Sequence, residues 1–312
     1  MEIENFTSES MLILVGLTNH RKEQILLFGV FLTIYLLTIF GNLMIIVLVQ
    51  IDTQLHTPMY FFLSHLAAME IVYVTSSSPQ LLTHLMAGNG VISLTQCMLQ
   101  GYIALSTGCT ECLLLGVMAY DRYLAICKPL RYASAMDRKH RHLLATSCWI
   151  TGSLYSLLSV VSILYHPFCG PSYINHFICE LQFVLKFSCG DIKLTKAILN
   201  AVAAFLVMMP LSVILYSYGR ILYSVTQMQS AAGWRKAFST CSSHFVVVTL
   251  FYGSVISIYI IPQSTSDPDQ DKQIAVLYVV VTPLLNPIIY TLRNKDVHRA
   301  MSKVMKGIGL ID

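Results

Sequence analysis

Seven long stretches of the chain are apolar nearly throughout, separated by short polar segments. They cover roughly residues 25–50, 58–86, 96–127, 142–165, 196–226, 238–262 and 272–292. A helix needs about 20 apolar residues to cross the hydrocarbon of a bilayer. Each stretch has that length, although polar residues interrupt the second and third. Backbone groups in lipid must be bonded internally. The pattern therefore predicts an all-α membrane protein: one domain over 1–312, built as a seven-transmembrane helix bundle. Pro79, Pro210 and Pro287 fall inside spans and predict kinks or local unwinding rather than helix ends. After Thr291 the pattern changes. RNKDVHRAMSKVMKG sets Val297, Met301, Val304 and Met305 on one face among basic residues, which predicts a short amphipathic helix along the membrane surface, within a tail over 293–312.

Composition agrees with this reading. The chain is 55% hydrophobic and 12% charged, where a soluble domain carries about 25% charged residues. Most of its surface therefore faces something other than water. The first 24 residues make a poor signal peptide. They hold Glu2, Glu4, Glu9 and Glu23, and their apolar run from Met11 to Leu17 is short. The first span is expected to act as its own uncleaved insertion signal.

Charge sets the orientation. Seven spans put the termini on opposite sides. One assignment gathers Arg122, Lys128, Arg131, Arg138, Lys139, Arg141, Arg220, Arg235, Lys236, Arg293, Lys295, Arg299, Lys303 and Lys306 on one side, 14 of the 20 Lys and Arg. That side is expected to be cytoplasmic, with residues 1–24 extracellular at the plasma membrane. The flanks of the first span alone point the other way, since Arg21 and Lys22 precede it and Ile51–His56 has no Lys or Arg. The whole-chain count outweighs them. The one glycosylation sequon, at Asn5, falls on the outer side.

Nine cysteines divide by side. Cys97, Cys169, Cys179 and Cys189 fall at the outer face, where disulfides persist. Four cysteines allow three pairings, and spacing does not choose among them. Cys109, Cys112, Cys127, Cys148 and Cys241 fall in helices or near the cytoplasm and read as small buried apolar residues.

The motifs are more specific. The first span carries Gly41-Asn42, and LHTPMYFFLSHLA covers 55–67. MAYDRYLAICKPLRY covers 118–132, Ser217-Tyr218 ends the fifth span, KAFSTCSSH covers 236–244 and PLLNPIIYTLRNKDV covers 283–297. Together they resemble the odorant receptors of the rhodopsin-like, G-protein-coupled class, of the tetrapod type, over essentially the whole chain. The resemblance implies disulfides Cys97–Cys179 and Cys169–Cys189. It also implies an odorant as ligand, and coupling to the stimulatory olfactory G protein with a rise in cyclic AMP.

Several motif residues make physical sense as a switch. Arg122 lies at the membrane boundary within a bundle, where an unpaired charge is expensive. Asp121 can partner it at rest, and carbonyls of an inserted G-protein helix can do so in the active state. Such an exchange is a two-state element that a ligand can bias. Tyr123, Tyr218, Asn286, Pro287 and Tyr290 belong to the same expected switch. His244 stands where many relatives outside the odorant receptors place an acid, so its protonation becomes a candidate pH-sensitive step.

Glu70 in the second span and Glu111 in the third are the two acids deep in the membrane, and no Lys or Arg lies at that depth. Two neighbouring carboxylates cannot both ionise cheaply without a counter-charge. Either protons neutralise them, with hydrogen bonds to Asn42, Asn286 or serines, or they hold sodium, a hard cation that takes oxygen ligands. No other cofactor is expected.

The expected ligand pocket follows from projecting helical faces inward. It takes Gly101, Ala104, Leu105, Gly108 and Cys109 from the third span and Val202, Ala203, Leu206 and Val207 from the fifth. Tyr252, Val255, Ile256 and Tyr259 come from the sixth, and Val276 and Val279 from the seventh. The lining is apolar and suits a small volatile hydrophobic molecule. Affinity should be modest, because so small a ligand buries little surface. Tyr259 is the expected polar contact and Tyr252 the packing element at the floor. The plainer alternative for each residue is ordinary helix packing.

Other classes fit less well. The seventh span has no lysine in its membrane part for a retinal Schiff base, and the outer third span has no Asp to pair an amine. No internal repeat or charged pore ring supports a transporter or channel. No nucleophile–base pair or metal-ligand spacing supports an enzyme, and no nucleic-acid partner is expected. A receptor for a metabolite outside the nose remains compatible with the same sequence.

Overall fold

The computed structural model describes residues 11–169, 173–227, 231–259, 272, 273, 275–293 and 295–307. Within these, only the backbone is described for 231–240, 257–259, 291–293, 295 and 305–307. Five helices are each long and apolar enough to cross a membrane: α1 (Arg21–Ile51), α2 (Pro58–Ala87), α3 (Leu94–Cys127), α5 (Arg138–Leu164) and α7 (Lys193–Thr226). The apolar stretch Cys241–Ile256 of α8 (Ala231–Tyr259) and the stretch Leu277–Tyr290 complete a seven-transmembrane bundle. The last stretch is not uniform. A π-helical turn, Leu277–Val281, leads into α9 (Thr282–Arg293). Pro79, Pro210 and Pro287 all lie inside continuous helices, α2, α7 and α9. Nearby hydroxyls take up backbone carbonyls, as Ser76 and Ser77 do by donating to Tyr73 O.

Two short helices and a sheet were not predicted. α4 (Pro129–Ala135) follows α3, with Pro129 in its first turn, where a missing N–H costs nothing. α6 (Leu181–Leu185) lies between α5 and α7. At the amino-terminal end of the bundle, β1 (Met11–Leu14) pairs antiparallel with β2 (Val91–Ser93) and parallel with β3 (Tyr173–Ile174). β1 alternates, burying Leu12 and Leu14 in a cluster with Ile92, Leu94, Met98, Ile174 and Leu181. Two disulfides, Cys97–Cys179 and Cys169–Cys189, fix the connection between α5 and α7 over the same end, in the pairing implied by the family resemblance. Arg21 donates to Leu85 O and Met86 O at 3.0 and 2.8 Å, filling carbonyls that the end of α2 leaves free. Asn5 lies outside the described residues.

The opposite end is closed by α10 (Lys295–Gly307). Its Val297 and Ala300 are buried, and Met301 and Val304 pack beside them on the main core. Tyr60 donates to Asp296 at 3.2 Å and Lys303 pairs with Asp52 at 3.3 Å, so α10 is tied to the α1–α2 connection. The backbone N–H of Gln54, reinforced by Lys303, holds the Asp52 carboxyl below its ordinary range.

α3 runs through the middle, packed against α2, α5, α7 and α8. Lipid offers no hydrophobic drive between helices, so close approach depends on small residues. Gly116 supplies one: a Cβ there would stand 2.9 Å from Pro210 Cβ and 3.3 Å from its Cα. Gly41 does the same for α1 against Pro287 of α9, at 3.1 Å. Gly116→Leu is expected to force α3 and α7 apart and destabilise the bundle by about 1–3 kcal/mol or more. The check is thermal unfolding of purified receptor, and an unchanged melting temperature would show that the approach is not limiting.

Candidate functional site

Midway along α3 the burial pattern changes. From Cys112 to Gly116 the helix is wholly buried, yet Ala104, Leu105, Gly108, Cys109 and Glu111 keep partial exposure, although α3 is surrounded by other helices. A central helix shows such a stripe where neighbours stand off from it. Gly108 marks the gap, because a Cβ built there would meet no atom within 4 Å. Leu105 and Cys109 pack with Val202, Ala203 and Leu206 of α7. Sequence projection missed two residues of this wall, Tyr155 of α5 and Leu199 of α7, which are joined by a 2.9 Å hydrogen bond from the tyrosine hydroxyl to the Leu199 carbonyl. Tyr252 lies beneath, 3% exposed, with its hydroxyl 3.4 Å from Cys112 O. Val207 and Val255 pack around the same level of the main core.

Four projected residues are placed elsewhere. Gly101 is covered by Leu181, whose Cδ2 would lie 2.7 Å from a Cβ at that position, so it seats α6 instead of lining a cavity. Ile256 is 36% exposed at the outer edge of α8. Val276 and Val279 pack with Phe31, Leu81, Leu85 and Phe177, against α1, α2 and the α5–α7 connection. The π turn explains that shift: it holds an extra residue, so a projection at the α-helical angle assigns the wrong face. The side chain of Tyr259 lies outside the described residues.

Deeper in the bundle, Asn286 of α9 gathers the two acids. Its Nδ2 donates to Glu70 Oε1 and to Glu111 Oε1, the latter at 3.5 Å. Asn286 Oδ1 is buried without a hydrogen-bond partner among the described residues. Asn42, the other amide considered, bonds to Thr38 O of its own helix at 3.0 Å.

At the far end of α3, Arg122 Nε lies 3.9 Å from Asp121 Oδ2, and the Asp121 side chain is fully buried. A second partner was missed by sequence reasoning: Tyr132 of α4 donates to Asp121 Oδ1 at 3.0 Å. The signal was available, since Pro129 opens a helix that brings Tyr132 back by one turn. Burial, then the Asp121 carboxylate, push the Tyr132 phenol well above its ordinary range, so it stays a neutral donor. Tyr218 and His244 share a hydrogen bond of 2.5 Å with their rings stacked, which gives His244 a fixed partner. Tyr123 packs edge-on against Tyr216. Tyr290, next to the buried Pro287 turn, is 1% exposed, with its hydroxyl unpartnered among the described residues. A buried orphan hydroxyl is strained and gains from any rearrangement that finds it a partner.

A helix bundle with this central third helix, loop disulfide and Asp-Arg terminus has the rhodopsin-like architecture. The squid rhodopsin crystal structure superposes with a TM-score of 0.72 over 90% of this chain and 85% of that one, at 16% identity, which shows the fold alone. Sequence comparison is narrower. The family model for olfactory receptors matches residues 31–307. The chain is 45% identical to mouse olfactory receptor 2C1 (99% of each chain covered) and 48% identical to human olfactory receptor 10C1 (94% of each). It is 44% identical to human olfactory receptor 2A12, over 96% of this chain and 97% of that one. The chain belongs to the olfactory receptor family. It is a multi-pass membrane receptor for small molecules that couples to G proteins, and not an enzyme.

Filling the open space at Gly108 tests whether a ligand sits there. Gly108→Leu should leave surface expression near wild type, because its side chain enters open space, while raising the agonist EC50 by about tenfold or more, roughly 1.4 kcal/mol. A dose–response curve with normalised surface labelling measures both. An unshifted EC50 would place the ligand elsewhere.

Proposed function

We propose that this receptor sits in the plasma membrane with its amino terminus outside. It binds small, mostly apolar volatile molecules between α3, α7 and α8, and activates the stimulatory olfactory G protein to raise cyclic AMP. The observation that carries this reading is the apolar stripe beside Gly108, with Leu105, Cys109, Val202, Ala203 and Leu206 around it and Tyr252 beneath. Pressure on Tyr252 from a ligand above would reach the Tyr218–His244 and Arg122 level through the main core. An odorant panel read by cyclic AMP in cells with confirmed surface expression is expected to find dose-dependent agonists. A broad panel that never raises cyclic AMP would sink the coupling. Orientation has its own check: glycosidase treatment should shift the mobility of the wild type and leave Asn5→Gln unmoved.

The carboxylate pair supports a second element. The donor set fits a sodium ion: two carboxylates, and an Asn286 Oδ1 that is buried with no partner. Glu70, Glu111 and Asn286 would hold the ion, which would supply the positive charge the two acids lack at that depth. A cation held there favours whichever bundle arrangement keeps the three groups together. Replacing sodium by an organic cation is expected to change basal cyclic AMP in the wild type and to have no effect in Glu111→Gln. Equal basal signalling in both media for the wild type would leave protons as the neutralising partner.

A further inference from the structure

The stripe beside Gly108 is apolar, and a loop carboxylate is held at the outer end of the same helix. Glu180 follows Cys179, the loop cysteine joined to Cys97 at the head of α3. The backbone is pinned on both sides of it. Cys179 N–H donates to Gln100 Oε1 at 2.7 Å, and Leu181 covers Gly101. Position 180 is thus held over the outer turns of α3, above the stripe that leads down to Gly108.

The side chain has a local use at hand and does not take it. Glu180 immediately precedes α6, where a side-chain oxygen commonly accepts a first-turn N–H, yet its carboxylate caps nothing. It turns to the seventh span instead. Oε1 accepts from the Tyr278 hydroxyl, and Oε2 accepts from Gln182 Nε2 at 3.2 Å. Tyr278 belongs to the π turn, the same local irregularity that turned Val276 and Val279 away from the pocket. Glu180 and Tyr278 are both half-buried, so the carboxylate is neither bathed in water nor sealed in the core. An ionised carboxylate is an acceptor only, with about four lone-pair sites. Tyr278 and Gln182 leave room for further donors.

We propose that Glu180, steadied by Tyr278, is the hydrogen-bond-accepting anchor of the ligand cavity, and that it selects molecules carrying a donor group, a hydroxyl or a protonated amine, at one end of an apolar chain. The physical basis is asymmetric. A site built to accept a hydrogen bond discriminates strongly against an analogue that lacks the donor, because its own polar group is then left unpaired, whereas one methylene more or less matters little. The shape of the cavity would set chain length and Glu180 would set the head group. This rests on the odorant-receptor reading above.

The test uses the full-length receptor in lipid nanodiscs and matched sets of primary alcohols, primary alkylamines, methyl ketones and alkanes over a range of short to medium chain lengths. Binding is read as the ligand-induced rise in melting temperature. Alcohols and amines are expected to stabilise the wild type more than ketones and alkanes of equal length. Glu180→Gln, whose amide keeps the shape and loses the charge, should lower alcohol and amine affinity about tenfold relative to the other two classes. Tyr278→Phe, which keeps the ring, should do so more weakly and serves if Glu180→Gln does not fold. Equal shifts across the four classes, no shift with any of them, or a loss in the variants that is uniform across classes would overturn the proposal and leave the Glu180–Tyr278 contact as a strap between loop and helix. Class-selective binding without any rise in cyclic AMP would instead count against the signalling reading and leave this one standing.

Discussion

Everything in this bundle depends on how closely other helices can approach α3. In lipid the gain comes from contact and from buried polar pairs rather than from expelling water. Over Cys112 to Gly116 the approach is complete, with Pro210 set against a residue that has no side chain. One turn higher the neighbours part and Gly108 faces empty space. The bundle therefore has a tight waist with a local opening beside Gly108, and the tight part holds the carboxylates and the tyrosine level in register. A waist packed this well does not deform gradually, so a displacement on one side of it would have to rearrange it as a unit.

The far end of α3 is joined to α4 through Asp121. Among the described residues Arg122 has a long contact to Asp121, whose other oxygen is held by Tyr132. The Asp is thus shared between its own helix and α4. Tyr290 stands nearby with an unsatisfied hydroxyl. A weakly held cation and an orphan donor in one place describe a state kept in waiting, with part of the benefit of rearrangement already built in.

Much of this was legible in the chain. Five of the seven apolar stretches appear as helices long enough to span a bilayer, and the other two, Cys241–Ile256 and Leu277–Tyr290, are shorter among the described residues. The wall formed by Leu105, Cys109, Val202, Ala203 and Leu206 could be projected because α3 and α7 are regular there. The failures also have a common cause. Val276 and Val279 were misplaced by the π turn, and Gly101 by a loop helix that no periodicity announced. Glu180 and Tyr132 act through partners far along the chain, Tyr278 and Asp121, and a one-dimensional pattern carries no such pairing. Regular helices transmit their faces to the sequence, while loops and turn irregularities are fixed by contacts made only after folding.

The small sheet at the amino-terminal end has a consequence for assembly. β1 emerges from the ribosome before any span has been made, yet its two partners are β2, beyond the second span, and β3, beyond the fourth. Its central place in the strand order β2-β1-β3 can be filled only once both segments have been delivered to the same side of the bilayer. Pairing across such separations is slow and comes late. The sheet therefore cannot close before the fourth span is in place, and its first-made strand, apolar on both faces, must wait unpaired until then.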